Sequence, residues 1–96
     1  MRLEQKDIDI IKNILLNKIS DAKIFLFGSR VDDSKKGGDI DLFVKTNNNI
    51  SLKEELLLLT QFELNGITRK IDLIIDTPEK NKQSFFDSIK DKAIVL

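Results

Sequence analysis

Apolar side chains recur at Ile8, Ile11, Leu15 and Ile19, the step that lines one side of a helix, and Asp7 stands where an N-cap is expected. The pattern then changes. Lys23 to Phe27 is a short apolar run of strand formers stopped by Gly28, and residues 31–38 are polar and end in Gly37-Gly38, which predicts a loop. Asp39 to Lys45 reads as a second strand and Thr46 to Asn49 as a turn. Ser51-Leu52-Lys53-Glu54 has the spacing of a capping box and opens a helix to about Leu64, closed by Asn65-Gly66. Lys70 to Asp76 predicts a third strand ending before Pro78. Residues 80–92 predict a last helix with Phe85, Phe86, Ile89 and Ala93 roughly on one side.

The order α-β-β-α-β-α predicts a small α/β (α+β) domain with a mixed sheet of three or more strands. The second and third strands, joined by a helix, should form a right-handed parallel crossover, and the first and second should pair antiparallel. The helices are expected to cover one face and leave the strand ends around Ser29, Asp39 and Asp41 open. The 96 residues are read as one domain, residues 1–96.

Composition narrows the chemistry. Sixteen basic residues balance sixteen acidic ones, so no global field draws the chain to long nucleic acid or to an anionic membrane. With no Cys and no His, thiol catalysis, zinc-thiolate sites and the usual general base are excluded. The N-terminal residues lack the apolar core of a signal peptide and no apolar run reaches membrane-spanning length, so a cytoplasmic location is expected.

Carboxylates and a turn remain. Asp39 and Asp41, two apart on a strand, point the same way, and an oxygen-only donor pair favours Mg²⁺ or Mn²⁺. The tripeptide alone carries no weight, since Asp7-Ile8-Asp9 repeats it at a helix start. Its context is what counts: Gly37-Gly38 before it, an apolar strand after it, and Phe27-Gly28-Ser29-Arg30 upstream. Gly28 permits close backbone approach, Ser29 offers a hydroxyl and an N–H to an anion, and Arg30 adds a charge-assisted contact to phosphate. Ile71-Asp72-Leu73 places a third carboxylate inside an apolar strand, where burial is costly without a partner or a metal. Beside the second strand, Asp72 would reach the same cluster or deprotonate an attacking hydroxyl.

Gly28-Ser29, then Asp39-x-Asp41, then Asp72 on a later strand, in a chain this short, resembles the minimal nucleotidyltransferases of the polymerase-β superfamily. The likeness implies the polymerase-β-like fold. It implies that Gly28, Ser29 and Arg30 hold the triphosphate and that Asp39, Asp41 and Asp72 bind two Mg²⁺ ions and activate the acceptor. Such proteins are similar to the antitoxins of two-gene modules whose toxin is a helical ribonuclease of the HEPN class. By that likeness the reaction is AMP transfer from ATP to a tyrosine of the toxin, within a hetero-oligomer.

Two features bear on a partner. The chain has no Tyr, so a tyrosine acceptor must come in trans. Leu56-Leu57-Leu58-Leu59 wraps apolar surface around more than one side of its helix, as a helix does when it is either centrally buried or packed against another subunit. The alternatives are a binding module that neutralises its toxin by occlusion and, less favoured, a small-molecule nucleotidyltransferase.

Overall fold

β2 (Ile40–Lys45) is the centre of the molecule. A computed structural model describes residues 3–28 and 39–96, so Ser29, Arg30 and the loop expected over residues 31–38 lie outside the described residues. β2 pairs antiparallel with β1 (Lys23–Phe27) and parallel with β3 (Ile71–Asp76). β4 (Ile94–Val95) adds to the free edge of β1, giving the order β3-β2-β1-β4. The antiparallel pair and the parallel crossover through α2 (Leu52–Leu64) are as the sequence predicts. β4 is not: a two-residue strand has no periodicity to read. Its backbone pairing is extended by Leu96 N–H, which donates to Ile24 O at 2.9 Å.

Strand alternation sorts the side chains onto two apolar faces. Ile40, Leu42 and Val44 are fully buried on one, packed with Ile24, Leu26, Ile71 and Ile75 under Ile11 and Leu15 of α1 (Gln5–Lys18) and Leu58 and Phe62 of α2. The opposite face carries Phe25, Phe27 and Phe43, and α3 (Gln83–Ile89) lies across it. Phe86 has its ring centroid 5.0 Å from Phe25 and 5.3 Å from Phe43, and Phe85 stacks on Phe43 at 5.9 Å. Helices therefore flank both faces, not one as expected. The signal was in β1 itself, where Ile24 and Leu26 alternate with Phe25 and Phe27, so that neither face is polar enough to meet water.

Helix boundaries differ at the start of α1 and at both ends of α3, which stops at Ile89 rather than at residue 92. α1 starts before Asp7. Buried Leu3 anchors the chain, Glu4 takes the N-cap position without a side-chain cap, and its carbonyl accepts from both Asp7 and Ile8 N–H at 3.1 Å. α3 starts after residue 80 because side chains capture the backbone donors just ahead of it. Asp76 Oδ1 accepts from Lys82 N–H at 2.7 Å, Thr77 Oγ1 from Lys80 N–H at 3.0 Å and Asn81 Oδ1 from Gln83 N–H at 2.8 Å. Such local bonds compete with helix formation. The capping box of α2 is present as expected, with Ser51 and Glu54 exchanging bonds of 3.1 Å in both directions.

Candidate active site

The face that carries α3 is built in three cross-strand rows, because the register aligns β1, β2 and β3 residue by residue. Phe27, Asp41 and Asp72 form the first row, Phe25, Phe43 and Ile74 the second, and Lys23, Lys45 and Asp76 the third. The phenylalanines of α3 sit over the second row, and Phe85 also reaches Phe27 at the β1 end of the first, with ring centroids 5.5 Å apart. Lys45 of the third row lies under α3 too, its Nζ 4.5 Å from the Phe86 centroid and donating to Gln83 Oε1 at 3.1 Å. The acidic row is left at the margin.

Asp41 and Asp72 are thus Cα partners on adjacent parallel strands. Strands in a sheet lie about 4.8 Å apart, so two carboxylates on the same face at the same level are within reach of one cation. Both are half-buried. Asp39 stands one residue before β2, exposed, and alternation carries it to the side of Asp41. The β2–β3 ladder opens at this point, with Ile40 N–H donating to Lys70 O at 2.8 Å.

Gly28 closes the row from the β1 side. Its φ is +74°, and a Cβ built there would overlap Asp41 Oδ2 and stand 3.1 Å from Asp41 Cγ. Only glycine lets the backbone turn against that carboxylate. Within the chain itself, the close approach that Gly28 permits is to Asp41.

Lys70 was missed. Its Nζ lies 3.6 Å from Asp72 Oδ1, the Lys70 side chain well exposed and that of Asp72 partly so. The signal was Lys70-x-Asp72, the same two-residue step that unites Asp39 and Asp41.

The donor chemistry can be tested against a metal. Among the described residues no group of three or more His, Cys, Asp or Glu side chains is gathered to hold a metal ion. Mg²⁺ does not need one, because it is commonly held by one or two carboxylates with substrate phosphates and waters completing the shell. The pair Asp41 and Asp72 fits that mode, with Asp39 beside it.

A cavity of about 400 Å³ lies at the other end of this face, lined in part by Asp21, Lys23, Lys45 and Asp76. Its charges are of both signs. Asp21 already accepts from Thr46 Oγ1 at 2.5 Å, Asn47 N–H at 2.8 Å and Asn48 Nδ2 at 3.0 Å, and the Thr46 bond is the main cause that holds its pKa below the usual carboxylate value. This end of the sheet is a structural clasp.

The model of the polymerase β nucleotidyltransferase family matches residues 9–96. The chain belongs to that family. A comparison with curated proteins finds no match. Membership covers every strand and most of α1, and it makes the acidic row the place to look for nucleotidyl transfer. Family members typically use a nucleoside triphosphate and divalent metal ions, which agrees with the oxygen-only donors of this row. Among the described residues no helix is long and apolar enough to cross a membrane.

Proposed function

We propose that this nucleotidyltransferase transfers AMP from ATP to a side-chain hydroxyl of a partner protein, a tyrosine of a HEPN-class ribonuclease toxin, and so acts as its antitoxin. The observation that carries the transfer reaction is the in-register pair Asp41 and Asp72 beside Gly28 at the open margin of the sheet. In the reaction the acceptor oxygen bonds to the α-phosphorus of ATP, the bond from that phosphorus to the bridging oxygen breaks, and pyrophosphate leaves. Asp72 takes the hydroxyl proton or orients the hydroxyl, as a chain without histidine requires. Asp41 and Asp72, with Asp39 beside them, would hold Mg²⁺, which would neutralise phosphate charge and favour the ionised acceptor. Gly28 fixes Asp41 against the end of β1, and Ser29 and Arg30 take the triphosphate. The absence of Tyr from the chain supports an acceptor in trans.

A second reading, neutralisation by occlusion without transfer, draws on the Lys70–Asp72 ion pair, which places a cation of the protein's own on the carboxylate a metal would use. One experiment separates the two. The protein is mixed with the product of the adjacent gene, Mg²⁺ and α-labelled ATP, alongside Asp41→Asn and Asp72→Asn variants. Label on the partner that both variants abolish supports transfer. Label that never reaches the partner, or reaches it equally with the variants, overturns it; toxin neutralised by unlabelling variants favours occlusion.

A further inference from the structure

The outward side of α2 is apolar where a helix lying on a core is ordinarily polar. Leu56 is 55% exposed, Leu57 52% and Leu64 74%, while Leu58 and Phe62 hold the inner side. At 3.6 residues per turn, Lys53, Leu56, Leu57, Thr60 and Leu64 follow one another along the side away from Phe62, with Glu63 at its border. Contiguous exposed leucine surface on this scale marks an interaction site.

We propose that this face binds α2 of a second copy of the chain, the two helices running antiparallel about a twofold axis level with Leu58. Charge complementarity selects the occupant. Lys53 and Glu63 lie five residues before and five after Leu58 on the exposed side. Among the described residues neither has an ion-pair partner in its own chain. Antiparallel pairing sets Lys53 of each copy against Glu63 of the other, twice by symmetry, with the leucines between them. Parallel pairing would set lysine against lysine. An isologous interface needs a surface that complements itself under a twofold axis, and this one does.

The geometry leaves the chemistry free. α2 covers the face of the sheet opposite to Asp41 and Asp72, so both acidic rows of the dimer stay open to an acceptor. One helix of 13 residues is at the low end of interface size, which predicts association in the micromolar range.

Sedimentation equilibrium of the full chain over micromolar to high-micromolar concentrations tests this. Wild type is expected to dimerise. Lys53→Glu and Glu63→Lys each turn two attractive contacts into two repulsive ones, which weakens dimerisation about tenfold. The double variant K53E/E63K restores it to within about threefold, because each swapped pair again joins opposite charges. Leu57→Ser, an exposed position, abolishes the dimer while the circular dichroism and melting transition of the monomer persist. A wild type that stays monomeric throughout, or that associates through this face only with a different protein, overturns the proposal. So does a double variant that fails to recover.

Discussion

Replacing Gly28 with alanine tests the site at the backbone that holds it. An L-residue at φ +74° carries left-handed strain of roughly 1–2 kcal/mol, and here the new methyl also meets the Asp41 carboxylate. That carboxylate is half-buried at the edge of a packed sheet, so it yields by rotating or shifting, on the order of an ångström. Misplacing a reacting group by that distance costs about a hundredfold in rate. Gly66 supplies the control, since its φ is +102° but a Cβ there meets nothing within 4 Å. Both alanine variants should therefore lose stability on the order of 1–2 kcal/mol, a fall of roughly 5–10 °C in Tm by scanning calorimetry. Only Gly28→Ala should lose nucleotidyl transfer about a hundredfold in a single-turnover assay with labelled nucleotide, while Gly66→Ala stays within about threefold of wild type. Equal activities for the two variants would refute the idea that Gly28 exists to seat Asp41.

Three further outcomes are expected. Mg²⁺ or Mn²⁺ should raise the Tm of the wild type with the logarithm of ion concentration over Kd, and Asp41→Asn with Asp72→Asn should erase that rise in a thermal-shift assay. Glu54 has its pKa held down from 4.5 to about 2, first by its bond from Lys18 at 2.9 Å and then by the Ser51 backbone N–H. A depressed folded value means the stabilisation is present above pH 4.5 and is lost as pH falls toward 2, so Glu54→Gln should flatten the stability–pH curve in that window by urea titration. Phe43→Ala removes a fully buried ring that touches Phe25, Phe85 and Phe86, and should cost about 3–5 kcal/mol in the same titration, enough to unfold most of the protein if its stability is ordinary for the size.

Where the sequence was legible, one residue type or one period decided the matter. Ser51 and Glu54 could be read as a capping box because both halves of the exchange lie within four residues. Asp41 and Asp72 could be placed on neighbouring strands because a strand-helix-strand unit has one favoured hand and a parallel register. The failures were of other kinds. The covering of the second face by α3 depends on five phenylalanines that are far apart in the chain and meet only in the fold. The late start of α3 depends on side-chain acceptors at Asp76, Thr77 and Asn81, which no apolar period records. At the site, the order of the aspartates was readable, but the contact of Gly28 with Asp41 joins the turn after β1 to β2 and appears only when the register is known.

The position of Asp41 on β2 has a consequence for motion. β2 is the strand with a hydrogen-bonded neighbour on each side and with buried side chains on both faces, so its amides should exchange with solvent only when the whole domain opens. α3, seven residues with none buried, and β4, two residues at an edge, should exchange far sooner. Asp41 would thus ride on the slowest-breathing element, with the neighbouring aromatic cover on one of the fastest. Hydrogen–deuterium exchange would resolve these two timescales on one and the same face of the sheet.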